Sequence, residues 1–318
     1  MESIEIKGRT FSFAFLGNNN FSDLVRLFKS VYKINLSEDF LIKKYGSLLP
    51  DLGFFGAFMY NENGSPVGFQ GAIPYRLKTN EKIFIAAQSC DSMTISSYQG
   101  LGIFSFLTKK VDELLIANKV KLIFGFPNQN SEKVLYDKLG WSQTGVMYHY
   151  IDYNANLAYA KFLWKFHFTR RLYRNWAVKK LNNFGQVLEQ LPINEEGNSS
   201  IIVTHDRPFF LYKKKESTLV LKLKYGTVWI KLGTQILVGD FHVEREDRLS
   251  DFLDELKLLA RKVGVSRVNY QCQGGSANQQ LLELQMKGVP TWRFGGKSYD
   301  SDFSPKDLLL TYGDIDTF

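Results

Sequence analysis

Two cysteines in 318 residues, Cys90 and Cys272, are too few and too far apart for a disulfide framework or a CxxC site. Four histidines (His149, His167, His205 and His242) are scattered without metal-ligand spacing, so no metal is expected. Eight prolines and 25 glycines give neither a collagen-like nor a low-complexity pattern. No apolar run approaches the roughly 20 residues that span a bilayer. The first residues, MESIEIKGRTF, carry Glu2 and Glu5 and no apolar core of a secretory signal. Together these absences point to a metal-free, soluble, cytoplasmic protein of prokaryotic look. What is present is ordinary globular material, 44% hydrophobic and 23% charged, with a formal charge of +8 and a high aromatic share of 15%.

Periodicity divides the chain. Phe21 to Lys33 has apolar residues at helical spacing, and Ser37 opens a second short helix with acids in its first turn. Two apolar runs joined by Asn61-Glu62-Asn63-Gly64-Ser65-Pro66 predict a hairpin. Glu81 to Ile95 reads as a further strand, Phe104 to Asn118 as a long amphipathic helix, Leu122 to Phe126 as a buried strand, and Glu132 to Leu139 as a helix closed by Gly140. The expected order is helix, helix, three strands in a meander, helix, strand, helix, strand. A mostly helical stretch runs from about 155 to 191, and residues 194 to 200 have linker composition. After it come strand-like runs, IIVTH, PFFLYKK and the segment from Ser217 to Glu244, then a helix at Leu249 to Val263, a strand at Arg267 to Cys272 and a helix at Asn278 to Met286. At an offset of 148 residues the halves match weakly: NSEKVLYDKLG falls on NQQLLELQMKG, and the preceding strands and helices coincide. A duplicated α/β fold is the reading, in three parts: residues 1–153, a helical connector at 154–198, and 199–318.

The sharpest local feature is Ser97-Tyr98-Gln99-Gly100-Leu101-Gly102-Ile103-Phe104, between a strand and a long helix. Glycines let the backbone approach a ligand, and free N–H groups at a helix start face anions, so a pyrophosphate is the natural guest. A plain turn is the competing reading. With its flanks, TISSYQGLGIFSFLTKKVDELL, and with PNQNSEKVLYDKLGW downstream, this region resembles the acetyl-CoA-binding core of the GCN5-related N-acetyltransferase (GNAT) superfamily. Gln99 and Gly102 match that family's (Q/R)xxGx(G/A) loop, and the second segment matches its helix ending in Tyr-x-x-x-Gly-aromatic. The resemblance covers residues 1 to 153.

It implies a mixed sheet flanked by helices and an acyl-CoA, most simply acetyl-CoA, as donor. The pantetheine arm would pair with Ser92, Met93 and Thr94 as an added strand. The pyrophosphate would rest on the amides of Gln99, Gly100, Leu101, Gly102, Ile103 and Phe104. Asn128 or Asn130 would supply an amide, since the family's Asn falls on Gln129. Tyr136 would protonate the departing thiolate, a transfer that a phenol suits; a core tyrosine is its alternative. The sequence departs from the family at Phe104, whose ring must turn away from the phosphates, and at Gln88, where a carboxylate or His often serves as base. Cys90 reads as a small hydrophobe, Asp91 should face the other side of the strand by simple alternation, and the base is unassigned.

In the second half the loop positions fall on Asp247-Arg248-Leu249-Ser250, without glycines and with a phosphate-repelling acid. That half is read as a degenerate repeat that completes an acceptor pocket or a dimer interface. The tandem plan is similar to that of FemABX-type aminoacyl transferases. Seven of the Lys/Arg, no acids and six large aromatics lie between Lys161 and Lys180, with positions 162, 166, 173 and 176 on one helical face. A connector helix is the first reading of this segment, a membrane-surface helix or a patch for an anionic acceptor the alternatives; nucleic acid is not expected. The function read is N-acyl transfer from acyl-CoA to a primary amine of a small molecule, an amino sugar among the candidates. A FemABX-like transferase and a non-catalytic GNAT-fold binding protein are the other readings.

Overall fold

The computed structural model describes residues 2–79, 82–154, 158–191 and 200–318, so the linker-like segment up to residue 199 lies outside the described residues. The chain packs into two compact units. The first is Met1–Thr144 with Phe294–Leu308, the second Gly145–Arg293 with Leu309–Phe318. Against the boundary expected near 153, the first unit closes at Thr144 and takes a late segment of the chain. The helices of the expected connector pack within the second unit.

The first unit opens with a hairpin that periodicity did not announce: β1 (Glu2–Ile6) and β2 (Arg9–Phe15) pair antiparallel across Lys7-Gly8. Both turn residues have positive φ, 52° and 73°, the geometry of a two-residue turn that matches strand twist. Then follow α1 (Phe21–Leu27), a π turn at Phe28–Tyr32, and α2 (Glu38–Gly46), whose Ser37 accepts from the Phe40 amide as a cap. β3 (Phe55–Asn61) and β4 (Pro66–Thr79) form the expected hairpin, with Asn61 Oδ1 accepting from the amides of Asn63 and Ser65. β5 (Lys82–Thr94) runs antiparallel to β4. α3 (Ile103–Ala117) crosses back and buries Ile103, Leu107, Val111 and Leu115 against the sheet. It returns the chain to β6 (Leu122–Gly125), parallel to β5, followed by α4 (Gln129–Lys138) and β7 (Ser142–Tyr153). The order of strands is β1-β2-β3-β4-β5-β6, and residues 295–298 complete it antiparallel to β6.

That late segment is tied in by charge as well as by the ladder. Asp112 on α3, 5% exposed, accepts from Lys297 Nζ at 2.7 Å and from the Tyr299 hydroxyl. Lys121 pairs with Asp300 at 2.8 Å, and Phe303 lies 4.0 Å from the Phe84 ring, centroid to centroid.

The second unit holds α5 (Tyr159–Leu163), α6 (His167–Asn182), β8 (Gln186–Leu188), β9 (Ile201–Val203), α7 (Arg207–Lys213), β10 (Thr218–Lys222), β11 (Gly226–Leu232), β12 (Ile236–Val243), α8 (Leu249–Lys262), β13 (Arg267–Gln273) and α9 (Ala277–Glu283); β14 (Val289–Ser298) starts in it and ends in the first unit. β8, β10, β11 and β12 are antiparallel neighbours, β12 and β13 are parallel, and residues 147–153 of β7 pair antiparallel with β13. The run PFFLYKK, expected as a strand, is the helix α7. Asp206 accepts from the Phe209 amide and Pro208 sits in the first turn, both start signals that override a β-like composition. At the offset of 148, β5-α3-β6-α4-β7 correspond to β12-α8-β13-α9-β14, and each set contains one parallel pair.

Lys213 at the end of α7 is wholly enclosed, its ammonium donating to the carbonyls of Ile315 (2.6 Å) and Asp314 (3.3 Å). Burial pulls its pKa down to about 7, against the opposing pull of Asp314.

Two predictions follow from these buried charges. Asp112→Ala, which leaves Lys297 and Tyr299 without their acceptor, should lower the urea-unfolding free energy by about 3 kcal/mol. Because the folded pKa of Lys213 lies below its unfolded value, the unfolded chain holds the extra proton between about pH 7 and pH 10, and stability must rise with pH in that window. Lys213→Met should flatten that rise by about 1 kcal/mol per pH unit in matched unfolding curves.

Candidate active site

The site begins where two parallel strands part. β5 and β6 pair only over Ala86↔Leu122, Ala87↔Ile123 and Gln88↔Phe124. Beyond Gln88, β5 keeps its ladder to β4 but the register shifts between Phe69 and Gly71, so an extra residue is accommodated near Asp91. Asp91 has φ 52°, a left-handed conformation that Asp tolerates better than most residues. Gln70, 1% exposed, fills the inside of the bulge: its amide donates to Ser89 Oγ (3.0 Å) and the Gly71 carbonyl, and it accepts from Ser92 Oγ at 2.5 Å.

The bulge overturns the simple alternation expected for Asp91. Ser89, Cys90, Asp91 and Ser92 all line one cavity of about 150 Å³, whose other walls come from Gly125 at the end of β6, Phe126 and Pro127 after it, Asn128 at the cap of α4, Ser131 and Leu135 on that helix, and Tyr32 and Trp141. Asp91 is the single carboxylate among the described residues lining it. Lys44 Nζ and the Tyr45 hydroxyl, both from α2, each donate to Asp91 Oδ2 at 2.7 Å. Burial first, and then the Asp91 charge, raise the Tyr45 pKa well above its usual value. The same two causes raise that of Tyr32, whose hydroxyl donates to the Ser92 carbonyl at 2.9 Å. Cys90, buried, donates to the Tyr45 hydroxyl at 3.7 Å.

Downstream of β5 the loop is fixed from the hairpins. Lys7 Nζ donates to the Gly100 carbonyl at 2.7 Å, Asn61 donates to the Tyr98 hydroxyl at 3.1 Å, and the Tyr98 ring meets Phe11 edge-on. Gly102, at φ 98°, is the residue before α3, and no side chain caps that helix. A Cβ at Gly102 would meet open space, so the strain of its φ, not crowding, demands glycine. The first-turn amides of Ile103 and Phe104 therefore stand as an uncapped helix start, an anion-binding geometry.

The residues expected from sequence are distributed as follows. Ser92 and Asn128 reach the cavity. Met93 is buried, and the Thr94 carbonyl accepts from the Gln99 side chain at 3.2 Å. Ile103, Leu101 and Phe104 direct their side chains to the core of the first unit, so the Phe104 ring leaves the loop face open. Asn128 caps α4, its Oδ1 accepting from the amides of Asn130 and Ser131, while Asn130 itself is exposed. Tyr136 stands on α4 beside Leu135, half-buried, with its hydroxyl over the backbone of Gly295, and is not among the residues lining the cavity. Gln88 is 1% exposed and accepts from the Tyr75 hydroxyl at 3.1 Å, which takes it away from the cavity. Sequence reasoning missed Tyr32, Lys44 and Tyr45, which lie 46 or more residues from Asp91 in the chain and carry no local signal.

Splayed parallel strands, a bulge on the first of them, and an uncapped glycine-started helix between them make up the site. Residues 14–144, within the first unit, match the family model described as Acetyltransferase (GNAT) domain. Among solved structures, the GCN5-related N-acetyltransferase from Kribbella flavida is 11% identical with a TM-score of 0.54, covering 92% of this chain and 71% of its own. The one from Anabaena variabilis is 10% identical with a TM-score of 0.56, over 90% of this chain and 72% of its own. Saccharomyces cerevisiae N-myristoyltransferase with bound myristoyl-CoA is 10% identical with a TM-score of 0.56, over 96% of this chain and 86% of its own. At these identities the likeness is one of fold. No curated protein matches the chain in sequence. Among the described residues no helix is long and apolar enough to cross a membrane.

The Asp91 cluster makes a local prediction. Asp91→Ala should destabilise the protein by about 2 kcal/mol in urea unfolding, since Lys44 and Tyr45 lose a shared, mostly buried acceptor. Asp91→Asn, which keeps the tolerance for left-handed φ, should lose less.

Proposed function

We propose that the protein is an N-acyltransferase that moves an acyl group, most simply acetyl, from acyl-CoA to a primary amine of a small molecule, with an amino sugar as the acceptor class. The observation that carries this reading is the cleft: β5 and β6 part after Gln88 and Phe124, and β5 leads through the loop at 95–102 into the uncapped start of α3. In this reading the edge of β5 at Ser92, Met93 and Thr94 receives the pantetheine arm, and the amides from Gln99 to Phe104 receive the pyrophosphate, with the helix dipole adding attraction. Asn128 and Asn130 border the cofactor at the start of α4.

Asp91, set in the cavity wall by the bulge and paired with Lys44, draws the acceptor's ammonium, whose proton leaves through water. The amine then attacks the thioester carbon, a backbone amide steadies the oxyanion, and the thiolate leaves with a proton from Tyr136. Phe104 packs inward and Asp91 puts a carboxylate in the cavity wall, and both support catalysis over a non-catalytic binding role. The second unit is a degenerate repeat of the fold in this proposal. At its helix start Arg245 holds Asp247 with contacts of 3.0 and 2.6 Å, where the first unit has glycines.

Acetyl-CoA should raise the melting temperature by a few degrees at a hundredfold excess over Kd, and Gly102→Asp should abolish the shift. An absent shift at millimolar acetyl-CoA sinks the reading. Tyr136→Phe should leave the shift intact and cut turnover by about a hundredfold in a thiol-release assay over an amine panel; unchanged turnover returns Tyr136 to the core.

A further inference from the structure

The basic, aromatic segment from Lys161 to Lys180 is not one helix. α5 ends at Leu163, and Phe166 is extended (φ −103°, ψ 140°) before α6 begins at His167. The single face expected for positions 162, 166, 173 and 176 is therefore broken up. On α6, Tyr173, Ala177 and Leu181 enter the core of the second unit, and the Tyr173 hydroxyl donates to the Val263 carbonyl at 2.7 Å.

The opposite side of α6 should then be polar, as on most helices at a surface. It is not. Phe168, Leu172 and Trp176, spaced i, i+4, i+8, form an outward stripe with exposures of 74%, 55% and 43%. Phe162 and Phe166, 69% and 53% exposed, extend it toward α5. Beside the stripe opens an apolar notch of about 360 Å³ lined by Tyr159, Leu163, Thr169, Leu172, Tyr173 and Trp176. A contiguous exposed apolar surface of this kind marks a contact site.

Charge selects the occupant. The segment has seven Lys/Arg and no acid. Arg174 pairs with Glu216, and among the described residues none of the other six has a carboxylate within 4 Å. Lys179 and Lys180 flank the stripe, with Lys180 Nζ 4.9 Å above the Trp176 ring. A second copy of this surface would bring six uncompensated like charges against six. An interface that is anionic above and apolar beneath satisfies both halves at once.

We infer that α5 and α6 form a peripheral docking face for an anionic lipid bilayer, with Phe162, Phe166, Phe168, Leu172 and Trp176 entering the headgroup boundary and the lysines and arginines meeting lipid phosphates. The whole protein should sediment with phosphatidylcholine vesicles that contain phosphatidylglycerol and not with phosphatidylcholine alone, and high salt should weaken the binding. Lys179→Gln with Lys180→Gln should weaken it about fivefold per charge removed. Phe168→Ser with Leu172→Ser, exposed and so compatible with an unchanged unfolding midpoint, should abolish it. Failure to sediment with anionic vesicles at low salt overturns the inference, as does binding that the serine pair leaves unchanged. A dimer on size exclusion that the serine pair dissolves also overturns it and gives the face to a second copy.

Discussion

The bulge in β5 at Asp91 is the constraint from which the site follows. One extra residue, held from inside by Gln70 and from α2 by Lys44 and Tyr45, reverses the alternation of side chains at the point where β6 stops pairing. Without it Asp91 would face the far side of the sheet and Ser92 would stay in register with β4. With it, four consecutive residues border one cavity. The bulge is costly backbone, with a non-glycine residue at positive φ, and it persists because buried polar partners on both sides over-determine it. Two aromatic hydroxyls share the work: Tyr45 on the carboxylate and Tyr32 on the Ser92 carbonyl.

Much of this fold can be read from periodicity. The hairpin at Asn61 to Pro66, the caps at Ser37 and the order from β5 to β7 carry local signals of turn chemistry and spacing, and they form where expected. The β1–β2 hairpin escapes because its turn is Lys-Gly, not Asn-Gly, and its first strand is largely exposed. PFFLYKK misleads because aromatic composition suggests a strand while a single Asp cap and a Pro decide for a helix.

The site is less legible than the fold. Its glycine loop and α4 segment have sequence signatures, but its charge cluster joins Tyr32, Lys44, Tyr45 and Asp91 through tertiary packing alone. A bulge has no pattern of its own: strict alternation is the natural prior for a strand, and one inserted residue inverts it for everything beyond.

The strand that borders β6 on its far side comes from residues 295–298, about 170 positions after its partner. During synthesis, β6 therefore waits with one edge bare while Gly145–Arg293 of the second unit is made, and the first unit cannot seal behind the ribosome as an ordinary amino-terminal domain does. Contacts of such sequence separation slow folding, and a nascent chain stalled before residue 295 would offer an unpaired strand edge to its neighbours. The chain thus matures as a whole: the unit begun first is closed by a segment made near the end.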